Sequence, residues 1–395
     1  MMNFDINNFI NKTVTQMQPS GIRKFFDIVS TMKDAISLGV SEPDFATPWH
    51  IRDAGIYSLE KAQTHYTSNS GLIELREEIC NYVKKFDLNY TPDEVLVTDG
   101  GSEGVDLIMR TVLEPGDEVL VHEPAFVCYK PCAQLAGGVP VTIETKSDNG
   151  FKLTAEQIEE KITPKTKMLV LSYPNNPTGA IMTKEDLEPI AEIVKKYNLL
   201  VLSDEIYAEL TYGGNSHFSI ASLPDMKDRC VIVNGFSKAF AMTGWRIGFV
   251  CASDPVFSAM LKIHQYTTIC APIFSQYASL EGLITCKETE FAMVNEMREE
   301  YDRRRKFMVK AFNEMGLYTF EPKGAFYVFP SIKSTGLDCQ EFAERLLKEK
   351  RVAVVPGDAF GSSGKYHIRC SYAYSMKNLI TATEKIKEFV NELKK

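Results

Sequence analysis

Between about residues 94 and 252, short apolar runs alternate with longer stretches of helical period. Glu94-Val95-Leu96-Val97-Thr98, Glu118-Val119-Leu120-Val121, Met168-Leu169-Val170-Leu171-Ser172 and Leu199-Leu200-Val201-Leu202-Ser203 are runs of this kind. A strand apolar on both faces must have both faces covered, so the alternation predicts an α/β fold: a mostly parallel sheet sandwiched by helices. Open sheets of this type bind ligands outside the carboxyl ends of their strands, so the residues that follow each run are the candidates for chemistry. From about residue 290 the character changes. A charged helix around Glu296 to Lys310 is followed by Gly324-Ala325-Phe326-Tyr327-Val328-Phe329, a helix over Gln340 to Lys348, the run Val352-Ala353-Val354-Val355, a strand around Arg369 and a helix from Met376, which together read as a smaller α+β domain. The expected division is an N-terminal arm with part of the small domain over 1–47, a large domain over 48–290 and a small C-terminal domain over 291–395.

The run Gly235-Phe236-Ser237-Lys238-Ala239-Phe240-Ala241-Met242-Thr243-Gly244-Trp245-Arg246-Ile247-Gly248 places a lysine among small residues, eight positions before an arginine. A crowded lysine loses its proton and forms a Schiff base with an aldehyde, and a guanidinium matches the forked geometry of a phosphate. The cofactor that carries both groups is pyridoxal phosphate. The plain alternative is a loop lysine with a distant solvated arginine.

Such a cofactor also needs a carboxylate for its pyridine nitrogen, donors for its ring oxygen and an aromatic cover. Asp204 follows the run ending at Ser203 and suits the ring nitrogen, and Tyr207 suits the ring oxygen. An Asp there also serves as a helix N-cap or turn residue. The rigid turn Tyr173-Pro174-Asn175-Asn176-Pro177-Thr178-Gly179 fixes the Asn176 amide at the same edge, or uses Asn for its backbone preference alone. Phe126 or Tyr129 covers the ring face, or packs in the core. Asp99-Gly100-Gly101-Ser102-Glu103-Gly104 opens the helical pattern of Val105 to Val112, and helix N-termini favour anions. A dinucleotide is the competing ligand there, but the Gly-x-Gly-x-x-Gly spacing is absent.

With Gly101-Ser102-Glu103, Phe126, Asn176-Pro177-Thr178-Gly179, Asp204 with Tyr207, Lys238 and Arg246 in one order, the chain resembles the class I aminotransferases of pyridoxal-phosphate fold type I over nearly its whole length. The resemblance implies a seven-stranded sheet and the cofactor held on Lys238, which shuttles the proton of the substrate Cα. It implies Asp204 on the pyridine nitrogen, Asn176 and Tyr207 on the ring oxygen, and Phe126 stacked on the ring. The amides of 101–103 with Ser237 and Arg246 then form the phosphate cup. Arg369, in Tyr366-His367-Ile368-Arg369-Cys370-Ser371-Tyr372, resembles the arginine that grips the substrate α-carboxylate, and Gly39 a residue whose backbone lines the substrate pocket. Tyr66 resembles the tyrosine that reaches the phosphate of the neighbouring subunit, which implies a homodimer. Two departures stand out: many relatives stack a tryptophan where Phe126 stands, and aspartate enzymes have a serine in place of Gly235.

The net charge of −8 and pI near 5.5 argue against nucleic acid as a partner. No apolar stretch approaches a membrane span, and the start Met1-Met2-Asn3-Phe4-Asp5 lacks a secretion signal, so a cytoplasmic enzyme is expected. Nine cysteines without a Cys-x-x-Cys pair read as reduced thiols, with no metal site expected. Substrate choice rests on Arg23, in Ser20-Gly21-Ile22-Arg23, which either binds a distal carboxylate or is a solvated charge. The segments around Arg23 and Asp204 resemble bacterial enzymes for aspartate, aromatic amino acids or N-acetyl-diaminopimelate. An acidic or aromatic donor, aspartate type foremost, is therefore expected. The alternatives are a carbon–sulfur β-lyase on the same fold and a non-catalytic pyridoxal-binding regulator. The latter would need a DNA-binding module, and no basic helix-turn-helix precedes the domain expected here.

Overall fold

A computed structural model describes residues 5–19, 32 and 34–394. Its strands are β1 (Ile36–Ser37), β2 (Val95–Thr98), β3 (Glu118–Glu123), β4 (Val139–Glu144), β5 (Thr166–Ser172), β6 (Leu200–Asp204), β7 (Cys230–Gly235), β8 (Gly248–Cys251), β9 (Tyr327–Val328), β10 (Val352–Ala353), β11 (Val355–Pro356) and β12 (Ile368–Ser371). Seven form one sheet in the order β2-β8-β7-β6-β5-β3-β4. β8 runs antiparallel to both its neighbours, and the remaining pairs are parallel. The mostly parallel, seven-stranded sheet expected from the sequence is thus present.

Because side chains alternate across a strand, each run feeds two cores. Leu96, Val119, Val121, Val170, Leu202 and Val233 pack with Val105 and Ile108 of the helix Gly101–Val112 and with Met260 of Val256–Thr267. Val97, Leu120, Leu169, Leu171, Val201 and Ile232 face the opposite way, onto Leu75 and Ile79 of Ile73–Val83, Ile190 of Lys184–Lys196 and Leu283 of Ile273–Glu288. Only the edge strand β4 is largely uncovered, and there Pro140, which lacks an N–H, is tolerated.

A third core gathers Tyr301 and Phe312 of the helix Ala292–Glu314, Phe342 of Cys339–Lys350, Phe389 of Met376–Leu393, Phe326 and Val354. Leu38 and Tyr207 join it from elsewhere in the chain. The run 352–355, read as one strand, is two: β10 pairs in parallel with β1, and β11 pairs antiparallel with β12. Val354 between them is fully buried in the third core, where the chain passes from one pairing to the other.

β7 and β8 are antiparallel neighbours, so the loop 236–247 leaves the sheet edge and returns to it. This doubling-back brings Lys238 and Arg246 to one edge despite their separation in sequence. It requires close backbone approach: a Cβ on Gly248 would lie 2.8 Å from Gly100 C and Gly101 N and 3.0 Å from Asn234 O. All three are main-chain atoms, which cannot rotate away. Gly248→Ala is expected to lower stability by about 2 kcal/mol, read as a lower urea midpoint at unchanged slope. Gly244→Ala, whose Cβ meets nothing within 4 Å, should leave the midpoint in place.

Candidate active site

Five strand ends supply one cavity. β2 leads to Gly101 and Ser102, β3 to Phe126 and Tyr129, β5 ends at Ser172 and leads to Asn176, β6 ends at Asp204 and leads to Tyr207, and β7 leads to Ser237 and Lys238. Together with Ser41, Glu42, Thr243 and Arg246 they line a cavity of about 460 Å³.

Asp204 is buried, and burial raises its carboxyl pKa. Two donors oppose that rise. The Tyr129 hydroxyl lies 2.7 Å from Asp204 Oδ2 and 2.8 Å from Ser172 Oγ; having one proton, it donates to the carboxylate and accepts from the serine. The Ile206 amide donates to Oδ1 at 3.2 Å. Among the described residues no cation lies within 4 Å of Asp204, an unusual state for a buried carboxylate. Tyr129 is therefore the support of Asp204. Sequence reading weighed it only as a ring cover, because nothing local shows that β3, β5 and β6 lie side by side.

Burial, aided by the charges of Arg369 and Arg246 and opposed by Glu42 and Asp204, pushes the Lys238 amine down to about 8. Its Nζ donates to the Ser41 carbonyl at 2.5 Å. Tyr207 is buried, and its hydroxyl shares a hydrogen bond of 2.7 Å with that of Tyr327, a partner absent from the sequence reading.

Three predicted substrate-binding residues meet directly. Fully buried Arg369 donates through Nη1 to Asn176 Oδ1 at 2.9 Å and through Nη2 to the Gly39 carbonyl at 2.6 Å. Its guanidinium lies between the rings of Tyr327 (4.6 Å) and Phe360 (4.8 Å), and its Nε–H has no partner among the described residues. Phe360 had no signal in the sequence: it lies on the loop after β11, which docks on β3 through Ala125 N to the Phe360 carbonyl at 3.1 Å.

Arg246 has a left-handed backbone (φ +50°) and donates to the Thr243 carbonyl at 3.0 Å, with no carboxylate within 4 Å among the described residues. It covers Gly100: a Cβ there would lie 2.5 Å from Arg246 Nη2. The guanidinium thus sits over the N-terminus of the helix Gly101–Val112, beside Ser102 and Ser237. The Glu103 side chain does not face the cavity; it caps Asp99 N and bonds His264 Nδ1 (2.7 Å) and Thr268 Oγ1 (2.8 Å). Only its backbone belongs to the turn. Gly235 abuts Gly248, whose Cα would lie 2.8 Å from a Cβ, so a serine does not fit there without movement. Phe126 lines the cavity, edge-on to Tyr129. Tyr66 does not: it is 80% exposed and lines a separate surface depression with His65 and Tyr277. Arg23 lies outside the described residues.

The cavity thus offers a carboxylate without a cation, an amine of depressed pKa and a guanidinium without a carboxylate. These groups complement the ring nitrogen, aldehyde and phosphate of pyridoxal phosphate, and define the site of an enzyme that uses it. The chain matches the family of class I and II aminotransferases over residues 33–386. It is 51% identical to a putative aminotransferase, YugH, of Bacillus subtilis (98% of this chain, 100% of that one). It is 46% identical to an aspartate aminotransferase of Pyrococcus abyssi (96% and 97%). The crystal structure of an aromatic aminotransferase from Pyrococcus horikoshii superposes with a TM-score of 0.89 at 45% identity (94% and 99%). The chain belongs to this family and is a pyridoxal-phosphate-dependent aminotransferase.

The depressed Lys238 pKa has a direct consequence in the protein without cofactor. Only the neutral amine is a nucleophile, so acylation of Lys238 should rise with pH and level off above about 8. Surface lysines should keep gaining reactivity up to about 10.4. Site-resolved mass spectrometry after a pulse of acetic anhydride measures both curves.

Proposed function

We propose that the enzyme moves the α-amino group of an acidic or aromatic L-amino acid to a 2-oxo acid by a two-stage exchange. The observation that carries this reading is the convergence of Lys238, Asp204 and Arg246, each without a counter-ion inside 4 Å among the described residues, on one cavity. When bound, the cofactor supplies the electron sink for the carbanion left when the substrate Cα–H breaks. Lys238 Nζ holds the cofactor and carries the proton from Cα. Asp204, steadied by Tyr129, pairs with the ring nitrogen, Asn176 and Tyr207 address the ring oxygen, and Phe126 covers the ring. The amides of Gly101, Ser102 and Glu103, with Ser237 and Arg246, take the phosphate. Arg369 takes the substrate carboxylate beside the Gly39 backbone, and its partnerless Nε–H supports that role.

The relatives named for aspartate and for aromatic amino acids support both donor classes. Among the described residues, Lys238 and Arg246 are the cations that line the cavity, and both are committed. A distal carboxylate therefore falls to Arg23 in this reading. The chain divides near residues 48 and 290, and the cleft between the two bodies closes on the substrate. No helix among the described residues is long and apolar enough to cross a membrane, and the free cysteines fit a reducing cytoplasm.

The active unit in this proposal is a homodimer in which Tyr66 reaches the neighbouring phosphate. Trp49, Ile56, Tyr57 and Leu59 on one helix, with Tyr66 and Tyr266, leave apolar surface exposed, the mark of an interface. Light scattering should give twice the 44.5 kDa chain mass. A monomer that turns over would remove Tyr66 from the site.

Mixing the loaded enzyme with single amino acids and following the cofactor's absorbance tests the reaction. L-aspartate or aromatic amino acids should convert the cofactor to its amine form without a 2-oxo acid present. Pyruvate released from cystathionine, without that conversion, would instead indicate the β-lyase. Arg369→Ala should lower kcat/KM about 10²-fold or more, the loss of two charged hydrogen bonds.

A further inference from the structure

One short segment touches both ends of the proposed reaction site. The Gly39 carbonyl accepts from Arg369 Nη2 at 2.6 Å, and two residues on the Ser41 carbonyl accepts from Lys238 Nζ at 2.5 Å. Between them the Val40 amide donates to the Tyr374 hydroxyl at 3.2 Å. Residues 39–42 have no strand or helix hydrogen bonds of their own, so their position depends on what anchors the chain beyond them.

On the N-terminal side Leu38 is held by its amide on the Ala353 carbonyl (2.8 Å) and by the Ser371 amide on its carbonyl (2.7 Å), and the Thr243 hydroxyl donates to Glu42 at 3.3 Å; on the C-terminal side the anchor is Asp44. Both its carboxylate oxygens accept from Arg304 Nη1, at 2.8 and 2.9 Å. Arg304 lies on the helix Ala292–Glu314, its side chain 7% exposed, with Nε held by Glu300 at 2.8 Å. The guanidinium lies 5.5 and 5.6 Å from the ring centres of Phe45 and Tyr301, which meet edge to face. A charge pair this enclosed is strong when both partners are present and costly when one is removed. Arg304 touches neither Lys238 nor Arg369.

We propose that Arg304 is a positioning residue for the aminotransferase reaction: through Asp44 it holds residues 39–42 as a strap across the substrate cleft. The strap sets the carbonyls that orient the Lys238 amine and the Arg369 guanidinium. The inference rests on the assignment of those two residues to the reaction, and its test is read partly in protein that carries out none.

The test uses Arg304→Ala, Asp44→Ala and the double variant. In cofactor-free protein, deuterium uptake by the amides of 39–44 and acylation of Lys238 should each speed up about 10-fold, as expected if the ordered strap falls to roughly a tenth of the population. In the loaded enzyme, KM for the amino acid should rise about 10-fold while kcat stays within about 3-fold, because the strap acts on binding. The double variant should equal either single one, the signature of residues acting as one pair. Arg303→Ala, at a neighbour that among the described residues bonds only Glu300, should change none of these. Should Arg304→Ala fail to fold, the part-exposed Asp44→Ala decides by the same readings. Unchanged uptake and acylation in folded Asp44→Ala, or a double variant that sums the two singles, would overturn the proposal. A wild-type protein that transaminates nothing would sink the assigned reaction and leave the strap measurements standing.

Discussion

Three stretches of backbone meet at Gly248, and the geometry of the site depends on that meeting. The start of β8 lies against the turn at Gly100 and Gly101 on one side and against the end of β7 at Asn234 and Gly235 on the other. A side chain at Gly248 or Gly235 would clash with facing backbone at 2.8 Å and push the Lys238 loop away from the helix N-terminus. Glycine is needed here for closeness, and at Gly100 also for a φ of +80°. With the crossing in place, the loop 236–247 must carry Lys238 outward and return Arg246 over Gly100. The main chain thus fixes where Lys238 and Arg246 start, and hydrogen bonds to the Ser41 and Thr243 carbonyls set their charged ends.

The electrostatics follow from that enclosure. Burial works on Asp204 and Lys238 in opposite senses, raising the acid and lowering the amine. The protein answers the two differently. Asp204 receives two hydrogen-bond donors, which favour its ionised form, whereas Lys238 lies in the field of two arginines, which favours its neutral one. A carboxylate supported in its ionised form and an amine pushed toward its neutral form, in one cavity, are what an enzyme needs if it is to pair with a protonated ring nitrogen and attack an aldehyde.

Much of this was legible in the sequence because strand runs mark their own carboxyl ends. Asp204, Asn176, Lys238 and the turn before Val105 could be placed at one edge without knowing the strand order. Tyr129 could not, since its role requires β5 to lie between β3 and β6. The Glu103 side chain was invisible for the opposite reason: its partner His264 lies on a helix that no local pattern links to the turn. The split of 352–355 into two pairings escaped because an all-apolar run shows burial but not the partner. Tyr66, fully legible as a resemblance, stands off the cavity of its own chain.

Arg369 shows how a buried cation is kept ready for an anion. Burial weighs against its charge, yet the described residues supply no carboxylate, only the neutral oxygens of Asn176 and Gly39 and the faces of two rings. Neutral acceptors and ring faces stabilise the guanidinium enough to hold it in place and leave most of its charge uncompensated. An arriving α-carboxylate therefore gains more here than at an arginine already paired, as Arg305 is with Asp302 and Glu321. The same arrangement selects against simple amines, which bring no anion. Because Arg369 belongs to β12 and its two acceptors to other parts of the chain, a carboxylate bound there as proposed would sit where β12, the Asn176 turn and the strap converge. Under the proposed closure, substrate binding and the closing of the cleft would draw on one interaction.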